Sequence, residues 1–134
     1  MSPRQTIHVI DDDAAMRNSL HALLVAEGYV VHSHESAQTF INTIQKGDAG
    51  CIVTDLNMPQ MSGLDLLCEM CNRRMCMPAI VISGRLDAQL IQATKEQGAF
   101  RCFQKPFDPG TLLAAIHAAL VDAYGGDQNP ALSG

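Results

Sequence analysis

At 134 residues, 47% of them hydrophobic, the chain is long enough to bury a core without covalent staples and too short for two ordinary domains. Its formal charge of -5 argues against a polyanion partner, because nucleic-acid binding draws on clustered Lys and Arg. No run of about 18 or more apolar residues occurs, and the opening MSPRQTIHV lacks the basic-then-apolar pattern of an export signal, so a cytoplasmic location is expected.

In chain order, short β-rich runs alternate with longer helical patterns. Strands are expected over residues 6–10, 29–34, 51–54, 79–82 and 100–104, and helices over 14–26, 37–46, 63–73, 87–97 and 109–124. The runs IHVI, CIVT and AIVI are nearly continuous in apolar residues, as strands covered on both faces of a parallel sheet should be. In the first helix Met16, Leu20, Leu23 and Leu24 form one core-facing stripe. Gly28, Gly47 and Gly98 stand where a left-handed residue would close the first, second and fourth helices. His32 and His34 alternate along the second strand and are expected on one solvent-facing side.

Strand and helix alternating with short connections imply parallel strands joined by right-handed crossovers, hence an open doubly wound α/β sheet. The single domain is assigned to residues 1–124, and the Gly- and Pro-containing stretch 125–134 reads as a flexible tail or the start of a linker. Five cysteines, an odd count in a chain with no export signal, read as reduced thiols. Cys68 and Cys71 form one C-x-x-C, but no second pair completes four ligands for a metal.

In such sheets ligands bind beyond the carboxyl ends of the strands. Those ends carry Asp11, Asp12 and Asp13, then Asp55, Ser83 and Lys105. Asp13 opens a helix and is explained by capping. The others are not. Two carboxylates about 4 Å apart repel by about 4 kcal/mol at an effective dielectric near 20, so a cluster of Asp11, Asp12 and Asp55 calls for a cation. Mg²⁺, a hard ion that takes oxygen ligands and phosphate, suits it, and Lys105 adds a fixed positive charge.

The motifs VIDDD, VTDLNMPQMSG, VISG and FQKPF, in this order, resemble the receiver domain of two-component response regulators over residues 6–124, with the wording of the FixJ-type regulators. The resemblance implies a flavodoxin-like (CheY-like) sheet of five parallel strands in the order 2-1-3-4-5 with five helices. It implies that Asp55 accepts a phosphoryl group from a sensor histidine kinase. Asp12, Asp55 and the backbone carbonyl of Asn57 would ligate Mg²⁺, and Asp11 would act through water. Ser83 and Lys105 would contact phosphoryl oxygens, and Lys105–Pro106 would be a cis peptide.

A signalling switch rather than a metabolic enzyme follows from the resemblance. Its output is expected through the face of the fourth helix, fifth strand and fifth helix, where Leu90, Ile91, Leu112 and Ile116 read as a contact surface or equally as core, by a phosphorylation-dependent dimer, a downstream protein or a C-terminal DNA-binding domain. Cys102 stands where the family usually has an aromatic residue, so the switch is expected to run through Ser83 and residues 86–91 instead. A phosphohydrolase is the alternative from another class, weakened by Asn57 at the place of a general acid two residues past the nucleophile. A flavodoxin-like or phosphorylation-independent binding module is a further alternative; DDDAAM would repel a phosphate without a metal. The sulfur-rich stretch LLCEMCNRRMCMP has no physical account at this level.

Overall fold

The computed structural model describes residues 6–125 apart from residue 46. The expected tail, beyond Gly125, lies outside the described residues. The elements run β1 (Thr6–Ile10), α1 (Ala14–Ala26), β2 (Val30–His34), α2 (Ala37–Thr43), β3 (Cys51–Asp55), α3 (Gly63–Asn72), β4 (Ala79–Ser83), α4 (Ala88–Glu96), β5 (Ala99–Gln104) and α5 (Pro109–Tyr124). All strand pairs are parallel and the sheet order is β2-β1-β3-β4-β5, the expected doubly wound topology.

Each helix opens on a side chain that satisfies its first free N–H groups: Asp13, Ser36, Ser62, Asp87 and Asp108. Such caps are worth about 1 kcal/mol apiece. Ser62 and Asp65 cap α3 reciprocally.

Alternate residues of the sheet feed two cores. Ile7, Val9, Cys51, Val53, Ile80 and Ile82 pack against α1 and α5, and Ile10, Ile52, Ala79 and Val81 against α2 and α3. Leu20 and Leu24 of the α1 stripe are buried, with Met16 and Leu23 packed at the edge. β3 and β4 are buried at every position, which is why they read as unbroken apolar runs.

Three expectations need correction. α2 ends at Thr43, three residues early: the Thr43 hydroxyl donates to the Thr39 and Phe40 carbonyls, and Ile44 turns extended to reach the core. Gly28 and Gly98 are left-handed at α1 and α4 as expected, but left-handed Gly47 sits apart from α2. His34 is not on an open face. Phe40 of α2 lies edge-on to it at 5.2 Å and to His8 at 5.1 Å, while His32 stacks on His8 at 5.6 Å.

At the far edge, β5 carries a bulge: Ala79 pairs with Ala99 but Ile80 with Arg101. The unpaired Phe100 therefore joins Phe103 on the α1/α5 side, and Cys102 faces the other core.

Candidate functional site

The carboxyl ends of β1, β3, β4 and β5 meet at one rim, and each polar side chain there has a local reason for its place. Asp11 follows β1 and is 1% exposed. Its Oδ1 accepts from the Asp13 N–H at 2.9 Å, while the Asp13 carboxylate caps α1 at Ala15. Asp55, the last residue of β3, is 7% exposed and accepts from the Asn57 N–H through Oδ1 at 3.2 Å. Behind it α3 approaches closely. A Cβ on Gly63 would lie 2.6 Å from the Asp55 carbonyl oxygen, so only glycine fits there.

Asp11, Asp12 and Asp55 each offer a carboxylate oxygen within 4.8 Å of the others, the sole such group of potential metal ligands among the described residues. Lys105 places its ammonium 3.6 Å from Asp11 Oδ2 and 3.6 Å from Asp55 Oδ2. The Lys105–Pro106 peptide is cis, as expected, and the Lys105 N–H donates to the Ser83 carbonyl at 2.7 Å. Burial, opposed by the Asp13 N–H and reinforced by the Asp55 charge, holds the Asp11 carboxyl above its ordinary value. Three acids against one lysine leave an excess of negative charge on an all-oxygen donor set. That chemistry fits a hard divalent cation.

Ser83 ends β4, fully buried. Its hydroxyl accepts from Asn57 Nδ2 at 3.0 Å and from the Arg85 N–H at 3.2 Å, and donates to the Arg85 carbonyl at 2.8 Å. All six residues expected at the site are thus found at one rim, with Asp12 and Asn57 exposed and the others at least partly buried.

The structure also recruits residues that motif reading passed over. Arg17 donates from Nη1 to the Asp11 carbonyl at 2.7 Å, tying the acidic loop to α1. The signal was available, since a helical side chain leans toward its own N-terminus and Arg17 stands in the turn next to the rim. Gln104 accepts from the Leu86 N–H at 3.4 Å. No sequence signal marks the Asn57 side chain as a partner of Ser83.

Cys102 is withdrawn from the rim. Its thiol meets the Thr94 hydroxyl at 2.8 Å, and Thr94, itself fully buried, donates to the Ile91 carbonyl of α4. Leu112 and Ile116 are fully buried core residues and do not belong to an outer face; only Leu90 and Ile91 remain half-buried there. All five cysteines are free. Among the described residues no helix is long and apolar enough to cross a membrane.

Comparison with known proteins identifies the family and agrees with the fold. The family model of the response regulator receiver domain matches residues 7–117. The chain is 44% identical over 114 residues to the transcriptional regulatory protein FixJ of Azorhizobium caulinodans, covering 85% of this chain and 54% of that protein. It is 37% identical over 121 residues to the response regulator protein TodT of Pseudomonas putida, covering 90% of this chain and 53% of that one. It thus spans about half the length of these relatives. The crystal structure of FixJ-N superposes with a TM-score of 0.80 at 35% identity, covering 86% of this chain and 92% of that one. Motifs, sheet order and rim lead to the same place: the chain belongs to the response regulator receiver domain family, as a FixJ-like member.

Proposed function

We propose that Asp55 accepts a phosphoryl group from the phosphohistidine of a sensor histidine kinase and that the added charge switches what the domain binds. The observation that carries this reading is the Lys105 ammonium, 3.6 Å from both Asp11 and Asp55, on a rim where both carboxylates are almost completely buried. A surface cluster made only for solvation would not bury them.

In the transfer, an Asp55 carboxylate oxygen attacks phosphorus. A P–O bond forms, the P–N bond of the donor breaks, and its electron pair stays on the imidazole nitrogen. Lys105 neutralises charge that accumulates on the equatorial phosphoryl oxygens, and the Asn57 N–H orients Asp55. Asp12 and Asp55, with the Asn57 backbone carbonyl, and Asp11 through water, would hold Mg²⁺. When bound, that ion adds charge stabilisation to the same oxygens. In this reading the domain is a signalling switch that promotes its own phosphorylation and dephosphorylation rather than a metabolic enzyme.

The donor must approach along the rim. An apolar groove of about 360 Å³ between α1 and the β5–α5 loop, lined by Met16, Leu20, Leu23, Pro106 and Phe107, begins at the residue after Lys105 and offers the donor protein an apolar contact. The name of the FixJ relative supports a role in transcriptional control; we place that role in the cytoplasm and assign its execution to a DNA-binding output domain beyond residues 1–124 or to a phosphorylation-dependent dimer.

The deciding experiment is intact mass after incubation with acetyl phosphate, with and without Mg²⁺, on wild type and Asp55→Asn. A Mg²⁺-dependent gain of one phosphoryl group in wild type alone is expected. Labelling that survives the substitution removes Asp55 from the role.

A further inference from the structure

A hydroxyl has one proton to donate and two lone pairs to accept with. At Ser83 all three are committed. The proton goes to the Arg85 carbonyl, and the lone pairs take the Arg85 N–H and Asn57 Nδ2. Ser83 therefore has no proton left for a phosphoryl oxygen on Asp55 unless the Arg85 carbonyl releases it.

The geometry points to Asn57 as an off-state latch: its side-chain amide holds Ser83 in the arrangement that serves Arg85, and a phosphoryl group on Asp55 must compete with it for the hydroxyl. The Asn57 side chain is a positioning group in this scheme, acting on the acceptor only through Ser83. The inference rests on the reading of Asp55 as phosphoacceptor and adds the device that resists the switch.

Asn57 is well placed for both tasks. Its backbone N–H orients Asp55 at 3.2 Å while its amide reaches across to β4 at 3.0 Å, so one residue spans acceptor and sensor. The loop that Ser83 would release runs directly into α4. Arg85 is followed by Leu86, whose N–H is held by Gln104 of β5, and by Asp87, the cap of α4. Redirecting one proton would free the Arg85 carbonyl and leave that loop tied by the Arg85 N–H to Ser83 and by Gln104. The signal can then reach α4 without an aromatic residue at position 102, where Cys102 is engaged with Thr94.

The test is a mutant cycle on the full chain with Asn57→Ala, Ser83→Ala and the double variant. The rate of acetyl phosphate labelling with Mg²⁺ is read by intact mass, and amide exchange of Arg85 by NMR without Mg²⁺ or phosphodonor. Loss of the latch should raise the labelling rate or the steady-state phosphorylated fraction by about two- to tenfold, the range of one neutral hydrogen bond. That gain should vanish in the Ser83→Ala background, and exchange at Arg85 should quicken in the Asn57→Ala single variant although the Ser83 acceptor is still present. Slower labelling, a gain independent of Ser83, or unchanged Arg85 exchange each overturn the latch. Should wild type fail to label at all, the phosphoacceptor reading fails, and the exchange measurement still decides whether Asn57 holds Ser83.

Discussion

Replacing Asp11 with Asn should make the protein more stable and its rim less competent. Asp11 is 1% exposed, and its carboxyl is held above its ordinary value chiefly by burial. Asp55, within 4.8 Å, repels it by about 3–4 kcal/mol at an effective dielectric near 20. Lys105, at 3.6 Å, attracts it by about 4–5 kcal/mol on the same scale. The two nearly cancel, and Lys105 keeps Asp55 as a partner in the variant, so desolvation decides the sign. The amide retains Oδ1 for the Asp13 N–H.

We expect Asp11→Asn to gain about 1 kcal/mol in urea unfolding at pH 7.5 in EDTA, a midpoint higher by about 0.3–1 M. An acid whose folded-state pKa is raised costs stability above that pKa and not below its unfolded value. The gap between the two proteins should therefore close as pH falls toward the ordinary carboxylate range. Saturating Mg²⁺ should reverse the order, because wild type gains about 1.4 kcal/mol at tenfold excess over its Kd and the variant less. A variant less stable than wild type in EDTA, or one that gains as much from Mg²⁺, would refute the reasoning.

Other perturbations have equally defined outcomes. His8 is pushed down to about 4 by burial and by its neighbours His34 and His32, so it stays neutral in the fold and protonates on unfolding. Its stability contribution is intact above pH 6.5 and drains away toward pH 4, about 2 kcal/mol between pH 7.5 and 5 before solvent screening and about 1 kcal/mol after it. His8→Leu should lose that much less stability over the same interval in denaturant titrations; equal acid sensitivity would contradict the assignment. Asp12→Ala should weaken Mg²⁺ binding with little change in fold, and an unchanged NMR titration would count against the acidic pocket. Lys105→Met should slow acetyl phosphate labelling by about 10²-fold or more, as loss of a preorganised charge partner does elsewhere; a labelling rate near that of wild type would discharge Lys105. Phe40→Ala, which empties a fully buried site between α2 and the histidines, should cost about 3–5 kcal/mol in thermal or urea unfolding, whereas a cost below about 1 kcal/mol would show that α2 does not depend on it.

The sheet was legible because β3 and β4, two of its three interior strands, are buried on both faces, which forces consecutive apolar residues, and because each helix begins after an Asp or Ser. The rim was legible for a related reason: strand ends are where polar residues interrupt apolar runs. What escaped was decided by tertiary contact. Whether Thr43 continues a helix depends on where its hydroxyl finds a carbonyl, and whether Leu112 and Ile116 face outward depends on how α5 is rotated. The Asn57 amide crosses from one loop to the next, a distance of 26 residues in sequence that no local pattern encodes.

The bulge at Phe100 bears on how this edge of the sheet tolerates change. Side chains along a strand alternate, so one added or lost residue ahead of Cys102 would turn Cys102, Phe103 and the approach to Lys105 inside out. A strand that already carries one unpaired residue can absorb such a slip by shifting or dissolving it. The α4–β5 turn can therefore vary in length while the lysine keeps its phase, pinned from the other side by the Ser83 carbonyl.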